Sequence, residues 1–187
     1  YLYIDKDSLY MEVKDSVTLY YTTDGSVPTK YGNRYDAPLY LGAKTRVRVI
    51  AHQKGYKSSA PTEKSNWFKQ EDATYRIISE ITPEVSLSEA VNGNTQTDYV
   101  GCWMLNNSIE HNDVNYAIVG IDSAAFSNAT ALRSVEIASS SLRYIGNNLF
   151  HGCTALNAVV WDTELPIHET MFDEGSYHNL LIYTADD

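Results

Sequence analysis

"AFSNATALRSVEI" (residues 125–137) and "LFHGCTALNAVVW" (residues 149–161) are two copies of one pattern. Aligned on Phe126 and Phe150, which are 24 residues apart, they pair Leu132 with Leu156, Val135 with Val159 and Ile137 with Trp161. Phe172 follows 22 residues after Phe150, and Ile121, Ile145 and Ile167 each stand five residues ahead of a phenylalanine. Three of the chain's four phenylalanines fall in this register, and the motif is I-x4-F-x5-L-x2-V-x-[IW].

A period near 24 with an L-x-x-L-x-L-like core is the leucine-rich repeat pattern. The spacing predicts a short strand at each "L-x-x-V-x-I", whose inward residues stack on the next copy. The polar "SNAT" and "HGCT" turn the chain, and the isoleucine and phenylalanine close the other side of the coil. One coil cannot bury its own apolar face, so the copies must stack. The outward positions flanking the valine are then Ser134 and Glu136 in one repeat, Ala158 and Val160 in the next, with Tyr183 continuing the row. These five residues are the candidate binding surface. They are either an ordinary solvated sheet face or a mixed patch of the kind interfaces favour.

The rest of the chain is organised differently. Residues 1–69 hold 11 Lys and Arg against 7 Asp and Glu, whereas residues 70–187 hold 3 against 17. This break predicts two modules, 1–69 and 70–187, joined near residues 66–74. In the first the apolar period is two: Leu9, Met11 and Val13, then Val17, Leu19 and Tyr21, then Val47, Val49 and Ala51 opposite Arg46 and Arg48. Turn signals separate these runs at "TDGS" (23–26), "YGN" (31–33) and "KGY" (54–56). Alternation with regular turns reads as a small antiparallel β-sandwich. Its tyrosines, Tyr20, Tyr21, Tyr31, Tyr35, Tyr40 and Tyr56, either fill and edge the sandwich or offer rings for stacking on sugars. In the second module residues 70–115 read as an N-terminal cap, 116–172 as repeats and 173–187 as a C-terminal cap ending in the strand "LLIYT". Thr82-Pro83-Glu84 predicts a helix start, "YVGCWML" (99–105) a buried strand, and "NGNTQTD" (92–98) a solvated loop. Cys102 and Cys153 are expected to be buried free thiols.

Two resemblances go with these patterns. "YYTTDGSVPT" (20–29), "YDAPLYL" (35–41) and "TRVRVIAHQKGYKSS" (45–59) resemble the immunoglobulin-like domain at the C-terminus of chitobiases and hexosaminidases, an accessory module. "AFSNATALRSVEI…LRYIGNNLFHGCTALNAVVW" resembles the BspA-like leucine-rich repeats of bacterial surface proteins. There Asn128-Ala129 replaces the usual Gly-Cys, Leu149 replaces alanine, and "MFDEGSYHNLLIYTADD" is irregular. Together they imply a mainly β chain, an immunoglobulin-like sandwich followed by a short capped leucine-rich repeat solenoid. The second resemblance also implies a cell-surface or secreted location and a host or cell-surface protein or glycan as partner.

Other chemistry is not indicated. An acidic second half repels phosphate backbones, which argues against nucleic acid. No apolar run approaches the ~20 residues of a membrane span. His52, His111, His151, His168 and His178 lack zinc-ligand spacing, and no nucleophile elbow, phosphate loop or dinucleotide fingerprint occurs. Neither catalytic residues, metal nor cofactor are expected. The expected function is non-catalytic binding; a spacer presenting another domain, or an accessory module of a carbohydrate-active enzyme, are the alternatives.

Overall fold

The computed structural model describes residues 1–41, 44–70, 73–88, 99–174, 178 and 180–184. Among them the chain is built of strands, with one short 3-10 helix. It divides into two compact units, Tyr1–Phe68 with Ile77–Thr82, and Lys69–Arg76 with Pro83–Asp187. Ile77–Thr82, which the sequence reading places in the second module, therefore belongs with the first. It is held there by the Asp7 N–H donating to the Ile78 carbonyl at 3.1 Å and by Lys64–Glu80 at 2.6 Å.

The first unit has two antiparallel sheets. One is formed by β1 (Leu2–Asp5), β2 (Ser8–Met11) and β5 (Leu39–Tyr40), in the order β1-β2-β5; the other by β3 (Thr18–Thr22), β4 (Asn33–Arg34), β6 (Arg46–His52) and β7 (Thr62–Ser65), in the order β4-β3-β6-β7. Of the residues that the period of two turns inward, Leu9, Met11, Leu19, Val47 and Val49 are buried, Val17, Tyr21 and Ala51 are half-buried, and Val13 is exposed. Outward-facing Arg46 and Arg48 both reach Glu63 across the β6–β7 pair, at 3.3 Å each. Buried Asn66 joins three strand ends: its Oδ1 accepts from the Thr45 N–H at 2.6 Å, its Nδ2 donates to the Leu41 carbonyl at 2.9 Å, and its own carbonyl accepts from the Ile77 N–H at 2.8 Å.

The chain continues through β8 (Trp67–Gln70), β9 (Ala73–Ser79), β10 (Glu84–Ser88), β11 (Gly101–Met104), β12 (Ser108–His111), β13 (Val114–Ile121), β14 (Leu132–Ala138), β15 (Tyr144–Ile145), β16 (Ala158–Asp162), a 3-10 turn (Glu169–Met171) and β17 (Leu181–Thr184). Strands β11, β14, β16 and β17 form a parallel sheet in that order. A mixed sheet runs β12-β13-β10-β9-β8, with β15 also on β13. The repeat makes coils: β14 leads to β15 and Phe150, and β16 leads to Ile167 and Phe172.

Two expectations are corrected here. The helix start expected at Thr82-Pro83-Glu84 is instead a turn leading into a strand, β10 from Glu84, because Val85 and Leu87 are fully buried and the backbone pairs in parallel with β13. Val85 to Ser88 are buried on both faces, as in an interior strand, and long-range pairing overrides a local capping signal. The predicted buried strand at 99–105 is a strand only half buried. Tyr99 and Leu105 are inside, while Cys102 and Met104 point outward and are exposed. Cys102 is thus an exposed thiol, and only Cys153 is buried. The loop expected at 92–98 lies outside the described residues.

Candidate functional site

The parallel sheet carries the candidate surface, and its position follows from what the coils bury. Phe126, Phe150 and Phe172 stack in one column, with centroids 5.3 and 5.2 Å apart and ring planes 12° and 23° apart. Tyr99 and Trp103 close the column's end, 4.9 and 5.0 Å from Phe126. Leu132, Val135, Ile137, Val159 and Trp161 fill the inward side of the strands. The alternation of a strand then sends their neighbours outward.

The turns that bring each coil back are also repeated. Ala124 and Asn128 in one coil, and Asn148 and Gly152 in the next, have positive φ of 61°, 60°, 55° and 73°. Asparagine tolerates this left-handed region better than most side chains, so Asn128 can replace the family's glycine. The coils are stitched together there: the Phe126 N–H donates to the Leu149 carbonyl at 3.1 Å, and the Asn128 N–H to the His151 carbonyl at 2.7 Å. The Cys153 thiol donates to the Phe126 carbonyl at 3.0 Å, and burial pushes its pKa up to about 11. It stays an inert thiol at neutral pH.

On the outward face the register brings the five predicted residues together. One rung across the sheet is Cys102–Ser134–Ala158–Leu181, and the next is Met104–Glu136–Val160–Tyr183. Sequence reasoning missed Cys102, Met104 and Leu181. Reading "YVGCWML" with period two from inward Tyr99 would have found the first two, and the alternation around Ile182 the third. Met104, Leu181 and Tyr183 are exposed large hydrophobics. Glu136 is a lone carboxylate among them, beside a hollow of about 150 Å³ between Cys102, Met104, Ser134 and Val160.

Two other polar clusters of this unit are tied up in structure. Arg76 makes a bidentate pair with Asp122 at 2.8 and 2.9 Å, and the Tyr144 hydroxyl donates to Asp122 at 3.0 Å. Burial raises the Asp122 pKa, but the Arg76 guanidinium outweighs it and holds the carboxyl below the usual range. Burial, with the Asp122 charge behind it, pushes Tyr144 up to about 12. His151 pairs with Asp173, whose other oxygen accepts from the Gly152 N–H at 2.9 Å. Among the described residues no group of three or more His, Cys, Asp or Glu is disposed to hold a metal ion. In the first unit Tyr31, Tyr40 and Tyr56 are exposed.

Residues 88–183 match the family profile described as the BspA type leucine rich repeat region, in six copies, over just over half of the chain. The chain belongs to the BspA-type leucine-rich repeat family. Residues 3–68 match the profile of the chitobiase/beta-hexosaminidase C-terminal domain. The BspA-type match starts ahead of residue 116, and β11, paired with β14, supplies a strand of the repeat sheet in that earlier stretch. Two solved structures are also similar. One is a leucine rich cell surface protein from Faecalibacterium prausnitzii A2-165, at 17% identity and a TM-score of 0.40, covering 57% of this chain and 24% of that one. The other is a leucine-rich repeat protein from Bacteroides capillosus ATCC 29799, at 14% identity and a TM-score of 0.40, covering 64% and 98%. This chain thus spans about a quarter of the length of the Faecalibacterium protein. No curated protein matches the sequence. Among the described residues no helix is long and apolar enough to cross a membrane.

Proposed function

We propose that this chain is a non-catalytic part of a bacterial cell-surface or secreted protein, and that it binds a protein or glycan partner through the outward face of its parallel sheet. The observation that carries this reading is the alignment of two outward rungs across four parallel strands, apolar at Met104, Val160, Leu181 and Tyr183, around Glu136. A sheet already ordered by its ladders needs no backbone ordering on binding, and Met104, Val160 and Tyr183 supply the methionine, aliphatic and aromatic surface that interface cores favour, with Glu136 as the polar group beside it. The family membership supports the surface location.

The test is the double change Glu136→Lys with Val160→Asp, assayed for attachment to a panel of host proteins and glycans. Attachment should weaken at least tenfold while circular dichroism stays unchanged. Unchanged attachment with an intact fold would move the site from this face to the exposed tyrosines of the first unit.

A further inference from the structure

We propose that a cavity at the C-terminal ends of β14, β16 and β17 is a subsite for a cationic side chain, the ammonium of a lysine or the guanidinium of an arginine presented by a protein partner. The cavity has a volume of about 810 Å³ and lies where the loop 162–167 leaves β16. Its walls come from strand ends that the repeat register brings side by side: Ala138 is paired with Asp162, and Trp161 with Thr184. Ala138 and Asp162 are the next outward rung after Glu136 and Val160, so the cavity adjoins the sheet face without sharing its residues. The inference stands whether or not that face binds anything.

Charge selects the occupant. The lining contains no Lys, Arg or His, and it contains Asp162 and Glu164. Both carboxylates are exposed and, among the described residues, neither makes an ion pair or a side-chain hydrogen bond. The surrounding half of the chain has 3 cations against 17 carboxylates. Of the three, Arg76 is bound to Asp122 and Arg143 to Glu84. The local potential is therefore negative, and it attracts cations while repelling phosphates and acidic peptides.

The floor suits the stem of such a side chain. Trp161, Leu165 and Ile167 line it, and the Trp161 indole N–H donates to the Leu165 carbonyl at 2.7 Å, which closes the loop that carries Glu164. A lysine or arginine can lay its methylenes on this apolar floor and bring its head to the two carboxylates. Ser140, Thr163 and Thr184 add hydroxyl acceptors for the remaining N–H donors. Trp161 is only 4% exposed, so the cavity offers no aromatic face for a sugar ring to stack on, and its apolar contact comes from half-buried Leu165 and Ile167.

The test is a nitrogen-15 NMR titration of the whole chain with N-acetyl-arginine amide and, separately, N-acetyl-lysine amide. Saturable shifts are expected at the Trp161 indole and at residues 162–167, with dissociation constants of order 1 mM for such small probes. The double variant Asp162→Asn with Glu164→Gln should weaken binding about tenfold, and the stronger of the two probes tells which cation the site prefers. The proposal is overturned by any of three results: no saturable shift up to ~50 mM probe, equal shifts in the double variant with its spectrum still dispersed, or equal binding of methyl glucoside at the same residues.

Discussion

Tyr144 lies directly over Gly120: a Cβ built on Gly120 would fall 2.1 Å from the Tyr144 ring. The ring occupies the space that any other residue's side chain would fill, and its hydroxyl completes the Arg76–Asp122 pair, 3.0 Å from each partner. Gly120→Ala should therefore expel the ring and break both hydrogen bonds, at a cost of about 1–3 kcal/mol as for other overpacked sites. In urea titrations, adding Tyr144→Ala to Gly120→Ala should cost much less than Tyr144→Ala alone, because the first change already displaces the ring. Strictly additive losses would show that the two residues are not coupled.

The Arg76–Asp122 pair makes a prediction about acid. Asp122 has a pKa below that of an unfolded aspartate, because Arg76 overcomes the effect of burial. Its stabilisation is then complete above the unfolded value, about 4, and is lost as pH falls through that value toward the folded one. Asp122→Asn should lower stability near neutral pH and reduce the loss on acidification. The check is the wild-type-minus-variant difference in unfolding free energy, measured from pH 7 to pH 3. A difference that stays constant over this range would mean that Asp122 keeps an unfolded-like pKa.

The repeat register was legible because its signals are local and periodic. Phe126, Phe150 and Phe172 declare the column, and the L-x-x-V-x-I strands declare which neighbours face out. The departures were illegible for a common reason: long-range pairing decides them. Glu84–Ser88 carries a helix-capping signal at its start and becomes a strand because β13 is available beside it. The β12–β13 hairpin interrupts the first coil on a tight turn at Asn112 and Asp113, both with positive φ, at 52° and 60°. Such a pair favours the turn that matches strand twist, but "NDV" alone is a weak signal. The cavity beside Asp162 and Glu164 depends on three strand ends meeting, and no local motif encodes that.

The left-handed turn of each coil gives a sharper sequence rule. Gly152 has φ of 73°, and a Cβ there would sit 2.4 Å from the Asn128 side-chain oxygen. Gly152→Ala meets both a strained backbone and a clash, and should cost about 2 kcal/mol or more. Asn128 has a similar φ of 60° but is exposed. Asn128→Gly should be close to neutral, while Asn128→Val should cost about 1–2 kcal/mol. Thermal unfolding of the three variants checks the order. Gly152→Ala proving as mild as Asn128→Gly would mean that the coil relaxes freely at this turn.

Phe150 holds the centre of the column, and its removal tests whether the coils stabilise one another. It is 2% exposed and stacked on both sides, 5.3 Å from Phe126 and 5.2 Å from Phe172. Phe150→Ala removes a ring from a site whose walls are fixed by the ladder of hydrogen bonds to Leu149, His151 and Met171, so the cavity cannot collapse. The expected cost is about 3–5 kcal/mol, the range for buried aromatic truncations. Phe150→Leu keeps the apolar volume and should recover roughly half of it. Because neighbouring coils stabilise one another, the loss should spread beyond the site. Amide exchange should accelerate in β14 and β16 together, not in β16 alone. A loss below ~1 kcal/mol, or exchange confined to one strand, would show that each coil stands without its neighbours.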